Sequence, residues 1–228
     1  MMNISIETLT ILKNFSLLND AILLRPGNIL RTISQSQAIL TRSKVEETFP
    51  VECAIYGLSR FLAAVSMFKR PNLEFNSTFV DIIGEEEDVI RYFYHKSNKI
   101  ISPPNEDVEL EEVHDQFFLS KEEFQKLIKS ASLLQVPHFI INNDEKGRVL
   151  KVCDGIKLSS NSYSLTNNTC PTNNTYPSTK NYCFPIAVDN LKFLQLDYDV
   201  KIGTIGDSDL VEFKNDICTY WVAVETTL

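Results

Sequence analysis

The sequence lacks the features of a secreted or membrane-spanning protein. Its five cysteines are odd in number, scattered and without any Cys-x-x-Cys pair, so we expect reduced thiols rather than a disulfide framework. No apolar run approaches the roughly 20 residues that a membrane-spanning helix needs. The first residues, Met1–Glu7, lack the basic start and apolar core of a signal peptide. These absences predict a globular protein of a cytoplasmic compartment, with one large domain or two of ordinary size.

A catalytic centre is equally hard to find. The three histidines, His95, His114 and His138, are far apart, and their spacing matches no metal site. A thiol–imidazole pair of Cys53 with His138 stays open in principle, although a cysteine in an alternating strand is more often a small core residue. The acidic run Glu85–Asp88 lacks the alternating spacing of a calcium loop. There is no Gly-x-x-x-x-Gly-Lys or Gly-x-Gly-x-x-Gly segment to hold a nucleotide. We therefore predict no enzymatic activity, no metal and no cofactor.

Charge is unevenly distributed along the chain. The formal net charge of -8 argues against bulk affinity for nucleic acid. Acidic residues are concentrated in predicted turns and connectors, at Glu85–Asp88 and Glu106–Glu112. The predicted helices carry cations instead, which suits helices that face a polyanion while loops and strands face away from it.

The sequence repeats a pattern at an offset of about 115 positions, which is half of its 228 residues. Such a period indicates one domain fold used twice. The residues that correspond are Ser5 and Ser120, Glu7 and Glu122, Leu9 and Phe124, Leu12 and Leu127, and Leu18 and Leu133.

The segments after the two matching helices also agree. Each helix is followed by a predicted hairpin, with turns at Arg25–Asn28 and Asn143–Gly147. Each hairpin is followed by a strand that runs into a short helix, near Val51–Leu62 and Tyr182–Leu194. The order helix, hairpin, strand, helix, strands therefore occurs twice.

The helix predicted over about Lys121–Leu134 is amphipathic. Ser120 with Glu123 forms a capping box at its start. Lys126 and Lys129, three positions apart, are neighbours on the side opposite the apolar stripe. That stripe consists of Phe124, Leu127, Ile128 and Ala131.

In the helix predicted over about Glu7–Leu18, we expect Leu9, Leu12 and Ser16 to face the core, with Lys13 at the edge. Any single lysine on an amphipathic helix is ordinarily no more than solvated. The joint pattern is more informative, because an acidic chain places at least one cation on each of its four predicted helices. The cations on or next to these helices are Lys13, Arg60, Lys69, Arg70, Lys121, Lys126, Lys129 and Lys192.

Several segments resemble one known family, the trimeric DNA-polymerase sliding clamp of T-even-type bacteriophages, a processivity factor. Leu12–Phe15, with Ile22–Leu24 and Gly27 after it, resembles the opening of that family. Ala54–Leu62 is similar to the family pattern Ala-Ile-Tyr-x-Leu-x-x-Phe-Leu, and Glu122–Lys129 and Tyr220–Glu225 also match. The resemblance covers nearly the whole chain.

The resemblance implies an α+β DNA-clamp fold with two similar domains, each with two helices packed on antiparallel sheets. Three subunits would assemble into a pseudo-sixfold ring with helices inside and sheets outside. The implied domains are residues 1–94 and 118–228, joined by an interdomain connector over residues 95–117. Subunits would join through edge strands, which the sequence does not identify.

The implied function is that of a ring that encircles double-stranded DNA without sequence preference and tethers the replicative DNA polymerase. An ATP-dependent clamp-loader complex would open it, in the cytoplasm of the infected bacterial host, and no membrane is involved. The resemblance leaves a role with transcription factors open. An alternative also stays open, namely a two-domain, non-enzymatic interaction or scaffold protein of phage that does not encircle DNA.

The resemblance also implies where partners bind. All eight cations named above are expected to face the DNA channel. Short peptides of the polymerase and the loader would bind a hydrophobic pocket near the connector, with Ile100, Ile101 and Val113 as participants.

Two features depart from the family pattern. Ser132 stands where a basic residue is expected, so the channel would be less positive. The polar segment Ser159–Asn181 predicts a strand at Tyr163–Leu165 and then a long mobile loop of unknown role.

Overall fold

The computed structural model describes residues 1–86, 88–145, 147–155, 160–167 and 181–225. The chain forms two compact units, Met1–Asn105 and Glu106–Leu228. Three α-helices are present in the described ranges: α1 (Ile6–Leu18), α2 (Leu58–Val65) and α3 (Lys121–Leu134). Short 3-10 turns cover Ser97–Lys99 and Val188–Leu191.

The strands are antiparallel to their partners in both units. Those of the first unit are β1 (Met2–Asn3), β2 (Ala21–Leu24), β3 (Gly27–Ile33), β4 (Ile39–Phe49), β5 (Cys53–Tyr56), β6 (Asn72–Phe75), β7 (Phe79–Ile83) and β8 (Val89–Phe93). Those of the second are β9 (Glu112–Leu119), β10 (His138–Asp144), β11 (Gly147–Cys153), β12 (Ser162–Thr166), β13 (Tyr182–Ala187), β14 (Tyr198–Ile205), β15 (Ser208–Lys214) and β16 (Cys218–Ala223).

The strand pairings repeat between the two units and confirm the internal duplication. In the first unit β1, β6, β7 and β8 are joined in that order, and in the second β9, β14, β15 and β16 are joined in the same way. The pairs β2 with β5 and β3 with β4 correspond to β10 with β13 and β11 with β12. Each strand of the first unit thus has a counterpart eight strands later.

The two long helices begin in equivalent ways. Ser5 caps α1 by accepting a hydrogen bond from the amide of Thr8 (3.1 Å). Ser120 caps α3 within the predicted capping box, which is confirmed, because its amide donates to Glu123 Oε2 (3.0 Å). The alignment of Ser5 with Ser120 is therefore structurally correct.

Each unit has its own hydrophobic core on the inner face of its helices. In the first unit Leu12 and Phe15 of α1 and Phe61 of α2 are buried. In the second, Phe124 of α3 packs against Phe193 (ring centroids 6.1 Å apart). Phe193 also stacks on Tyr220 (4.2 Å), and Tyr198 and Phe213 complete this aromatic cluster.

A buried ion pair lies inside the second unit. Arg148 of β11 donates to both carboxylate oxygens of Asp115 in β9, with distances of 2.7 and 2.9 Å. The hydroxyl of Tyr182 in β13 donates to the same carboxylate. Burial by itself lowers the pKa of Arg148, but the hydrogen bond and charge of Asp115 outweigh it and raise that pKa. The carboxylate of Asp115 therefore joins the three strands β9, β11 and β13.

Three details of the predicted elements are wrong. β2 and β3 do not form a hairpin with each other, because β2 pairs with β5 and β3 with β4. Only Arg25 and Pro26 separate β2 from β3, and the fixed negative φ of Pro26 does not fit the type I′ turn that a two-residue hairpin loop prefers. The core face of α1 consists of Thr8, Ile11, Leu12, Asn14, Phe15 and Leu18, whereas the expected Leu9 and Ser16 are only half-buried.

The third correction concerns the short helix expected near Val188–Leu194. It is a single 3-10 turn over Val188–Leu191, and Phe193 turns into the aromatic cluster directly after it. The strand expected at Tyr163–Leu165 is confirmed as β12. Most of the Asn/Thr-rich loop predicted after it, residues 168–180, lies outside the described residues.

Candidate nucleic-acid interface

The solvent face of α1 carries one cation between apolar side chains. The residues on this face are Ile6, Thr10, Lys13 and Leu17, and all four are exposed. All except Thr10 have large side chains. Leu17 is 64% exposed. Lys13 therefore offers an isolated ammonium group on an otherwise uncharged stripe.

α2 packs beside α1 and contributes Arg60. The residue is exposed, but its guanidinium folds back over Gly57, because a Cβ added at Gly57 would meet the Nε and Nη2 atoms at 2.7 Å. Tyr92 lies close by and donates to the carbonyl of Tyr56 (2.6 Å). Burial raises the pKa of Tyr92, while the charge of Arg60 acts in the opposite direction. Arg60 is thus partly committed to the turn that begins its own helix.

Lys69 and Arg70 follow the end of α2 and are both exposed. They precede β6 and belong to the connection rather than to the helix.

α3 presents the densest group of cations. Lys126 and Lys129 are exposed on the side opposite the buried Phe124, Leu127 and Ala131. Glu122 and Leu133 share that face, and Leu133 is 74% exposed. The structure brings the two lysines together as predicted, with one carboxylate among them.

The last two predicted cations of the second unit are also exposed. Lys121 begins α3, and its backbone amide donates to Asp197 Oδ1 (2.6 Å). Lys192 lies just after the 3-10 turn and forms an ion pair with Asp189 (3.2 Å). Asp189 therefore offsets part of the charge that Lys192 brings to this face.

The N-termini of all three helices are occupied by carboxylates. Glu47 of β4 accepts hydrogen bonds from the amide of Ser5 and the hydroxyl of Thr8 at the start of α1. Asp20 accepts from the amide of Ser59 (2.7 Å) in the first turn of α2. Asp197, described above, does the same for α3. A helix N-terminus ordinarily attracts anions, and here that place is already filled.

Sequence reasoning missed the exposed Ile6, Leu17 and Leu133 and the carboxylates at the helix starts. The spacing of Ile6, Thr10, Lys13 and Leu17 over one helical face could have revealed the first stripe. The partners of the helix starts are distant in sequence and leave no local signal, since Ser5 and Glu47 are 42 positions apart.

Ile100 and Ile101 line a cavity of about 410 Å³ in the first unit. Ile100 is buried in a small cluster with Ala21 and Ala54, whereas Ile101 is 50% exposed. The remaining lining residues are Asn19, Asp20, Ala21, Gln35, Tyr56 and Lys99. Val113 lies in β9 of the second unit, opposite Gly203 of β14.

The thiol and imidazole considered above as a catalytic pair belong to Cys53 and His138, and the structure defines the surroundings of each. Burial raises the pKa of the Cys53 thiol to about 12, which suppresses the reactive thiolate. His138 contacts Glu225 through Nδ1 (3.2 Å). Within the described ranges, no three His, Cys, Asp or Glu side chains are grouped to hold a metal ion. No helix in those ranges is long and apolar enough to cross a bilayer.

Comparison with solved structures defines the class of fold. The chain superimposes on Proliferating Cellular Nuclear Antigen from Entamoeba histolytica with a TM-score of 0.64 and 13% identity, covering 95% of this chain and 94% of that one. It matches the beta clamp of H. pylori with a TM-score of 0.67 and 12% identity, covering 96% of this chain and 63% of that longer one. The chain therefore has the DNA-clamp fold, as predicted.

Sequence comparison narrows the likeness to phage proteins. The chain is 22% identical over 227 residues to the sliding clamp of Vibrio phage KVP40, covering 98% of this chain and 99% of the relative. It is 23% identical to the sliding clamp of Escherichia phage RB69 and 22% identical to that of Enterobacteria phage T4, each covering 98% of this chain and 97% of the relative. No protein-family model matches the chain. The resemblance to T-even-type phage clamps is thus confirmed over nearly the whole sequence.

Proposed function

We propose that this chain is a DNA sliding clamp, a non-enzymatic processivity factor that encircles duplex DNA and tethers a replicative polymerase. The observation that carries the proposal is its similarity to three phage sliding clamps over 98% of its length, together with the clamp fold. A closed ring cannot leave a duplex without opening, so a tethered polymerase stays near the primer end at high effective concentration.

The exposed cations support a weak, sequence-independent contact with DNA. Lys126 and Lys129 lie on one helical face, and long lysine side chains reach phosphates without fixing a register. Glu122 and Asp189 reduce the net positive charge of the helix side. Lys13, Arg60, Lys69, Arg70, Lys121 and Lys192 complete the proposed channel-facing set.

We assign the contact between subunits of the ring to two edge strands, β8 and β12. Among the described strands, β8 is hydrogen-bonded on one side only, to β7, and β12 only to β11. β8 exposes Val89 (53%) and Phe93 (66%), an apolar edge that invites pairing with another chain. In our proposal β8 of one copy pairs with β12 of the next, head to tail, in a homotrimer.

The cavity lined by Ile100 and Ile101 is the proposed site for short apolar peptides of the polymerase and of an ATP-dependent clamp loader. Its apolar floor is fixed, because Ile100 is anchored against Ala21 and Ala54. Ile101 remains open to solvent and is available to a partner.

Light scattering across a dilution series tests the ring. A species of three times 26.0 kDa supports the closed clamp, and a monomer at high concentration contradicts it. Retention on circular but not on linear DNA, after loading with a phage clamp loader and ATP, then tests encirclement. A trimer that dissociates equally fast from both DNAs would favour the two-domain interaction or scaffold protein.

A further inference from the structure

Asn167 lies where the edge strand β12 ends, and it is only 1% exposed. Its backbone amide donates to the carbonyl of Arg148 (3.1 Å) and continues the pairing with β11. Its side-chain Nδ2 donates to the carbonyl of Phe118 (3.0 Å) and to Glu123 Oε1 (3.3 Å). The end of the strand is therefore hydrogen-bonded to the first turn of α3.

Glu123 has a second role in the same place. Its other oxygen, Oε2, accepts from the amide and the hydroxyl of Ser120 (3.0 and 2.8 Å) and closes the capping box of α3. One carboxylate thus joins the start of the helix to the end of the strand.

Arg148 restrains Asn167 from the opposite side. Its Nη1 donates to the carbonyl of Asn167 (3.3 Å), while its remaining nitrogens bind the buried Asp115. Because Asp115 holds the guanidinium in place, Asn167 has little freedom to move independently of β9 and β11.

The first unit contains the same connection with different chemistry. β4 is the counterpart of β12, and its Glu47 accepts from the amide of Ser5 and the hydroxyl of Thr8 at the cap of α1. A link from this strand to the start of the long helix thus occurs in both units, through Glu47 in the first and through Asn167 and Glu123 in the second.

We propose that Asn167 is a positioning residue that couples the edge of β12 to helix α3. Pairing of a second copy of this chain along β12 then reduces the opening of backbone hydrogen bonds in the first turn of α3, the helix that carries Lys126 and Lys129. The coupling to a second copy rests on the proposed function, whereas the link from Asn167 to α3 does not.

Hydrogen exchange measured by mass spectrometry, on dilute and on concentrated protein, tests this inference. In the wild type we expect the first turn of α3 to exchange roughly tenfold more slowly once copies associate, the effect of about one buried hydrogen bond. In Asn167→Ala this difference should vanish, while β12 still gains protection. Ser164→Ala, an exposed position of the same strand, is the matched control and should behave as the wild type.

Two results would overturn the coupling. One is an exchange rate in α3 that does not respond to association in the wild type. The other is a response that persists in Asn167→Ala. If Asn167→Ala does not fold, as judged by near-ultraviolet circular dichroism, Glu123→Ala removes the acceptor of Asn167 on the helix side and should remove the response in the same way.

A chain that stays monomeric at every concentration would refute the ring and the coupling to a second copy. The link from Asn167 to α3 within one chain can still be tested in that case. Asn167→Ala must then accelerate exchange in the first turn of α3 relative to Ser164→Ala, and equal rates would refute it.

Discussion

Arg148 and Asp115 form a two-pronged ion pair that is almost completely closed to solvent, with side-chain exposures of 8% and 0%. Arg91 and Asp81 form a pair of the same geometry in the first unit, at 2.8 and 2.9 Å, but the Arg91 side chain is 51% exposed. The same type of Arg–Asp ion pair therefore occurs twice in the chain, once buried and once with its arginine open to solvent.

Asp115→Asn should destabilise the protein by about 3–5 kcal/mol, because it leaves a buried guanidinium without its counter-charge. Asp81→Asn should have a much smaller effect, because water solvates the released Arg91. Urea unfolding of the two variants gives both free energies. Equal destabilisation would show that burial does not decide the strength of these pairs.

Acid should weaken the start of α1 through Glu47. Partial burial raises the pKa of Glu47, but hydrogen bonds from Thr8 and Ser5 outweigh it, so the pKa is lowered on folding. A group with a lowered folded pKa stabilises the protein above its unfolded pKa, about 4.3 for glutamate, and this contribution disappears as the pH falls through the folded value.

Glu47→Gln should therefore cost about 1 kcal/mol at neutral pH, a typical helix-cap contribution. The gap between wild type and variant should narrow as the pH falls below about 4.3. The free energy of unfolding, measured from pH 7 to pH 3, checks this. Glu46→Gln, which removes an exposed carboxylate from the same strand, is the control. A gap independent of pH would contradict the role of the carboxylate.

Reversing charge on α3 should weaken binding to DNA. For Lys126→Glu with Lys129→Glu, the slope of log affinity against log salt on a short duplex should fall by about 1 for each phosphate that the variant no longer neutralises. Processivity with polymerase and loader should fall as well. Lys44→Glu with Lys214→Glu makes the same charge change on strands. If both double variants behave alike, α3 does not face the duplex.

Removing the apolar side chains of β8 should break the ring. Val89→Ser with Phe93→Ser deletes two side chains that pairing would bury, and the dissociation constant of the trimer should rise by about a hundredfold or more. Sedimentation velocity across a dilution series measures it. Ile6→Ser with Leu17→Ser removes comparable exposed groups from α1 and should leave the trimer intact. A trimer that survives the β8 changes would assign closure to another edge.

Local features of the sequence predicted local structure well. The capping box of Ser120 and Glu123 is confirmed, and so is the apolar stripe of α3 at Phe124, Leu127 and Ala131, whereas Ile128 is only half-buried. Both features depend on residues within one helical turn or face. The core face of α1 was mistaken, since Leu9–Leu12 and Ile11–Phe15 offer overlapping apolar stripes and packing against α2, β3 and β4 selects between them.

Features that depend on distant partners could not be predicted. Glu47 binds the N-cap residue Ser5, which lies 42 positions earlier, and Asp197 binds an amide 76 positions away. The predicted cations are exposed, but the sequence did not reveal the carboxylates that moderate their charge. Such interactions are decided by the topology of the chain and leave no periodic trace.

The carboxylates at the helix starts bear on how a ring moves. Backbone amides at a free helix N-terminus would hold a phosphate at one fixed position. Glu47, Asp20 and Asp197 each bind an amide at one of these helix starts, which leaves the flexible side chains of the proposed channel-facing lysines and arginines to meet a passing backbone. A phosphate then finds no preferred resting place, and the energy profile along the duplex stays shallow. The helix caps, which stabilise the fold, would also lower the friction of one-dimensional diffusion.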